Sequence, residues 1–231
     1  MSKKSKPLVG ADIVCEFLEV AWHQILFLRD VYPASVFGRR RMYGTSVRMC
    51  LHPDVNQYIA QSLEAIRGCL VRGDVETIVL VVRNQAGLVV EQYVFEAAVP
   101  ERRDPDEFED RYLLEVEASL RAALLRLTTC AGGLGSLHGD GVTFAVLVKT
   151  RRDAAERLAV QSAAQVQPMH WLEANCSSGG GGDGDGGSET IAAPNDLHPI
   201  NSFSSEHVKL QVFVQTLSKS PTTPRKPSLD W

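Results

Sequence analysis

The sequence predicts an α+β fold: three main helices packed on one face of a mainly antiparallel sheet, with a mobile C-terminal quarter. Three observations predict it. Long stretches with apolar residues at helical spacing alternate with short β-branched runs. Two of those runs are separated by a short loop containing NQAG, as in a hairpin. A last strand-like segment stands alone, beyond a glycine-rich stretch.

Residues 1–8, beginning MSKKSK, read as a disordered basic tail. The first helix is expected from about Val9 to Asp30. Ile13, Val14, Phe17, Leu18, Ala21, Ile25 and Leu28 make its stripe, and Pro33 is expected to stop it near Tyr32. Residues 36–50, VFGRRRMYGTSVRMC, read as irregular or edge-strand material. A second helix starts near Pro53, buries Val55, Ile59, Leu63, Ile66 and Leu70, and ends at Gly73. VETIVLVV (75–82) and LVVEQYVF (88–95) then form the hairpin.

The third helix has a complete start signal. Asp104 is its cap, Pro105 fits the first helical position and Glu107 completes a capping box. Its stripe is Leu113, Val116, Leu120, Ala123, Leu124 and Leu127. Further apolar residues at Leu114, Ala118, Ala122 and Leu125 suggest enclosure on several sides. A loop is expected over 130–141, then VTFAVLV (142–148) as a central strand.

Residues 9–150 thus form a self-consistent core. The stretch 151–217 differs. Seven of the nine residues 179–187 are glycine, so 177–188 reads as a flexible tether. Beyond it, Val208, Leu210, Val212 and Val214 face one way, and Lys209, Gln211, Phe213 and Gln215 the other. Burial of four aliphatic side chains together with the ladder hydrogen bonds nearly cancels the entropy of ordering nine residues. Docking of this strand is therefore expected to be marginal and decided by a partner segment added beside it. A surface loop without a role is the alternative reading of the tether. Residues 218–231, proline- and serine-rich, read as disordered.

The net charge of −4 argues against a bulk nucleic-acid binder. Five cysteines without close pairs read as reduced thiols in an intracellular protein. No apolar run is long enough for a membrane span. The six histidines show no metal-ligand spacing with the cysteines, so no metal or cofactor is expected. GGLGSLHGDG lacks the setting of a phosphate-binding loop. A Cys/His enzyme is the remote alternative. GRRR (38–41) is a short basic patch, and Trp171 is an isolated aromatic in a polar stretch.

CEFLEVAWHQILFLRDVYP, CLHPDVNQYIAQSLEAI, DVETIVLVV, EQYVFE, LRAALLRL and VTFAVLVKTR together resemble the HORMA-domain family. Within it they resemble the accessory, mitotic arrest deficient-like 2, subunits of translesion DNA polymerase zeta. The likeness runs in order through residues 10–217. It implies a HORMA core over 9–150 and a safety belt over 151–217 that wraps a short, proline-containing peptide. It implies a non-catalytic adaptor for DNA repair that links the polymerase zeta catalytic subunit to a second translesion polymerase, the deoxycytidyl transferase. It further implies a shieldin component, an AAA+ remodelling ATPase and a homodimer as partners, no direct sequence-specific nucleic acid, and a nuclear location. A spindle-checkpoint adaptor acting on the anaphase-promoting complex, found also in cytoplasm and on the spindle, is the alternative. By position, the resemblance puts Tyr58 and Trp171 in the peptide-binding wall. It puts Leu197, Gln211 and Phe213 on the second-polymerase surface, and Arg39 and Arg121 at the dimer interface. The sequence departs from the family's pattern in its glycine-rich connection, in Phe213 for a tyrosine, in Glu173 for an apolar residue and in a longer tail.

Overall fold

A computed structural model describes residues 7–99, 110–135, 137, 141–151, 154, 196–205 and 208–217. Residues 1–6 of the basic tail, the start signal of the third helix, Trp171, the glycine tether and the last fourteen residues lie outside them, while Pro7 and Leu8, assigned to the tail, begin the first helix. Three α-helices are described, α1 (Pro7–Leu28), α2 (Pro53–Arg72) and α3 (Asp110–Gly133). Strands β1 (Phe37–Met42) and β2 (Thr45–Cys50) form a separate two-stranded ribbon. Strands β3 (Val75–Arg83), β4 (Val89–Ala98), β5 (Thr143–Thr150), β6 (Asp196–Ser204) and β7 (Lys209–Thr216) form an antiparallel sheet in the order β5-β3-β4-β7-β6.

Helix α1 is the hub. It packs against α2, α3 and β2, and so buries Val20, Trp22 and Leu26 as well as the predicted Val14, Phe17, Leu18, Ala21 and Ile25. It ends at Leu28, before Pro33 can act. Asp30 turns left-handed (φ 51°), its N–H donates to Phe27 O, and the Val31 N–H donates to Leu26 O. That pairing closes the last turn on itself. Gly73 ends α2 in the same way at φ 71°, as the sequence predicts. The core meets the inner face of the sheet through Ile78, Leu80, Val82, Tyr93 and Phe95, all fully buried.

The structure decides or corrects four expectations. Of the two readings of 36–50 the strand one holds: Tyr43 (φ 48°) and Gly44 (φ 70°) form a two-residue turn between paired strands, the geometry that suits the twist of a hairpin. Among the described residues, helix α3 is enclosed on one side only. Leu114 is 66% and Leu125 52% exposed, and Ala118 is exposed with them, because β6 and α1 approach from the opposite side. Among the described residues, strand β5 is an edge strand, not a central one. Strand β7 is an interior strand, paired with β4 on one side and with β6 on the other, and Val208, Leu210, Val212 and Val214 are buried as patterned. Its neighbour β6 escaped sequence reading. Only Ile200 among its residues is buried, so it shows no alternation, and Pro199 is a residue that sheets accept only at edges.

Candidate partner-binding site

The open edge of β5 is built from an apolar run and two tyrosines. Antiparallel pairing with β3 turns alternate backbone groups of β5 away from its neighbour. Val146 N–H is one of them, and it donates to the Tyr58 hydroxyl of α2 at 3.2 Å. The Tyr58 ring meets Phe144 edge-on at 5.4 Å, and Tyr32 meets the same Phe144 edge-on at 6.2 Å. Burial, followed by the neighbouring Cys50 and Tyr58, raises the Tyr32 phenol above its ordinary range. The Tyr58 oxygen accepts from the edge and keeps its own hydrogen to donate. It can therefore serve the backbone carbonyl of an added strand without leaving Val146.

Residues 151–195 connect this edge to the opposite one. β5 ends at Thr150 on one side of the sheet, and β6 begins at Asp196 on the other. Four strand spacings, roughly 19 Å, separate them. A connection of that length has ample chain to pass around a guest strand lying on β5.

The outer sheet face, away from the helices, brings Leu197, Gln211 and Phe213 together. Gln211 and Phe213 alternate outward on β7, and Leu197 stands opposite Gln215, their neighbour in that row. Leu197 is 55% exposed and Gln211 is exposed, while Phe213 is half-buried beside Val94 of β4. Arg39 is exposed on β1. Arg121 is partly engaged within the chain: its Nε donates to Tyr43 O at 2.6 Å, and its Nη2 to Glu117 at 3.4 Å. The guanidinium lies so close over Gly44 that a Cβ there would stand 2.9 Å from Nη2.

One buried network lies outside the predicted site residues. Arg29 grips Glu91 through two bonds, Nη2 to Oε1 at 2.6 Å and Nε to Oε2 at 2.9 Å, with both side chains about 5% exposed or less. Tyr93 donates to the same carboxylate at 3.0 Å. Arg29 also donates to the carbonyls of Ala131 and Gly135, at 3.2 and 2.6 Å, where α3 ends. The network thus fastens α1, α3 and β4 at the place where Glu91 pairs with Thr216 of β7. Its sequence signal is a charge that closes or interrupts an apolar run, Arg29 after ILFL and Glu91 within LVVEQYVF.

Nothing in the described residues favours thiol chemistry. Burial pushes the Cys15 thiol up to about 12 and raises Cys69 and Cys130, the reverse of an activated nucleophile. Among the described residues no three His, Cys, Asp or Glu side chains gather as a metal site would require.

The model of the HORMA domain matches residues 11–158. The chain belongs to the HORMA domain family. It is 33% identical over 207 residues to the mitotic spindle assembly checkpoint protein MAD2B of Danio rerio, and 32% identical over 214 residues to that of Homo sapiens, with 90% of each chain covered in both cases. It is 26% identical over 165 residues to DNA polymerase zeta subunit 2 of Drosophila melanogaster, covering 71% of this chain and 81% of that one. Among solved structures, a chain of the mitotic checkpoint complex superposes with a TM-score of 0.68 at 21% identity, over 90% of this chain and 98% of that one. HTP-2 of C. elegans bound to the HIM-3 closure motif gives 0.62 at 13%, over 92% of each. These two show the shared HORMA fold.

Proposed function

We propose that the protein is a non-catalytic adaptor that holds a short, proline-containing partner peptide as an added strand on β5, beneath its C-terminal belt. One observation carries the reading. The apolar run FAVLV lies on an unpaired edge among the described residues, an arrangement that proteins usually blunt with charges or cover. A guest strand would cover it, and Tyr58 stands ready to bond it. The belt connection starts at that edge and returns at the other, so closing it around the guest needs no new chain.

The guest we infer is a segment of the catalytic subunit of translesion DNA polymerase zeta, a reading supported by the polymerase zeta subunit among the relatives. The deoxycytidyl transferase polymerase would then meet the outer face at Leu197, Gln211 and Phe213. A shieldin component would be a second guest, and an AAA+ ATPase the opener of the belt. Arg39 and Arg121 would serve a homodimer, and the place of action would be the nucleus. The checkpoint names of the vertebrate relatives favour a second reading, an adaptor in mitotic control.

Calorimetric titration with the polymerase-derived peptide tests this. Wild type binds; Tyr58→Ala, Trp171→Ala and a chain truncated after Cys176 do not, while their helical circular dichroism persists. Retention of the peptide by the truncated chain sinks the belt. Preference for a peptide from a mitotic regulator selects the second reading.

A further inference from the structure

The β1–β2 ribbon carries a cluster of arginines of which the proposed function uses Arg39 alone, at a homodimer interface. Arg39, Arg40 and Arg41 are consecutive and exposed, and none makes an ion pair among the described residues. In the ladder Arg39 stands directly opposite Arg48, and Arg41 opposite Ser46. Residues facing each other across a ladder share a face, so Arg39, Arg41 and Arg48 form one cluster, with Arg40 on the reverse side. The two on β1 are about 7 Å apart along the strand. Like charges placed opposite each other weaken a ribbon, so the pair Arg39–Arg48 is a cost to the fold. Arg48 is nevertheless held in place: its guanidinium lies 4.9 Å from the centre of the Phe27 ring, and its N–H donates to Gln24 Oε1 at 2.8 Å. The acids Glu16, Glu19 and Glu117 act on Tyr43, at the turn of the ribbon.

We propose that this ribbon is a sequence-independent contact for the phosphate backbone of duplex nucleic acid. A protein partner would want an apolar anchor at the centre of its footprint. Among the described residues the exposed large apolar residue beside the ribbon is Leu51, which lies against Gly38, on the face opposite the arginine cluster. The ribbon also lacks a free aromatic for stacking unpaired bases, since Tyr43 packs beside Phe17. What remains is a cluster of guanidinium forks, the group best matched to phosphate oxygens. The overall charge of −4 does not cancel it, because screening at physiological salt confines each charge to about 8 Å.

Fluorescence anisotropy of a labelled mixed-sequence DNA duplex with the full chain, over a range of potassium chloride, tests the proposal. Wild type should bind at low salt, with log affinity falling against log salt at a slope of about −2 to −3, as for two or three phosphates contacted. Combined Arg39→Gln, Arg40→Gln and Arg41→Gln should weaken binding about tenfold and flatten the slope by about 2. The matching lysine replacements should keep most of it. Peptide capture should persist in all variants, which separates failure here from failure of the adaptor reading. Unchanged DNA binding in the glutamine variant overturns the proposal. So does displacement of DNA by polyglutamate at equal charge, which would mark an acidic protein as the partner. A glutamine variant that alters only the sedimentation of the protein would assign the ribbon to self-association and overturn it too.

Discussion

Strands β5 and β7 have eight residues each, TFAVLVKT and KLQVFVQT, and opposite fates. β5 is the more apolar, yet none of its residues is fully buried. β7 alternates apolar with polar, yet Leu210, Val212 and Val214 are at most 2% exposed. Composition says how much apolar surface a strand has to hide. Place in the sheet says how much it succeeds in hiding. β7 has a neighbour on each side and helices beneath, whereas β5 has one neighbour among the described residues. On the proposed function, the surplus apolar surface on β5 is what a guest strand would cover. β7 is paired on both sides, with β4 and with β6, a strand that the residue pattern of 196–204 does not announce.

The comparison can be broken most severely at the network beside β7. Arg29→Met leaves Glu91 buried without its cation and should cost about 3–5 kcal/mol in urea unfolding. Pairing it with Glu91→Leu should recover much of that loss. A small cost for the single variant would mean that the network does not fasten the β7 side of the sheet.

Next, Leu210→Ala on β7 should destabilise by about 2–5 kcal/mol, and Leu147→Ala on β5 by clearly less in the absence of peptide. With peptide bound, the gap should narrow. Equal costs in the free protein would erase the distinction between interior and edge.

A control independent of both strands comes from His23. Its Nδ1 accepts the Cys50 N–H at 3.2 Å, and burial lowers its pKa to about 4. The unfolded chain takes up the proton first, near pH 6.5, so stability falls as pH drops from there toward 4. Between pH 7 and pH 5 this amounts to on the order of 2 kcal/mol. His23→Gln should flatten that part of the stability profile whether or not β5 is occupied.

The smallest effect is on the edge itself. Tyr58→Phe removes one hydroxyl and should weaken peptide binding by about 0.5–1.5 kcal/mol with little change in stability. Titration calorimetry of the two proteins side by side measures it.

Local chemistry determined much of this molecule without help. The stripes of α1 and α2, the glycine that ends α2, the β3–β4 hairpin and the two faces of β7 all follow from residue spacing and backbone preference, which act over a few positions. The family likeness, carried by motifs such as NQYIAQSLEAI and EQYVFE, reached the HORMA fold and drew attention to Tyr58. Tertiary structure alone decided the rest. It put FAVLV at an edge and KLQVFVQT in the interior, left one flank of α3 open, made a strand of the unpatterned DLHPINSFS, and joined Arg29 to Glu91 across sixty-two positions. Those outcomes depend on which element lies next to which, and no spacing within a single segment encodes its neighbour.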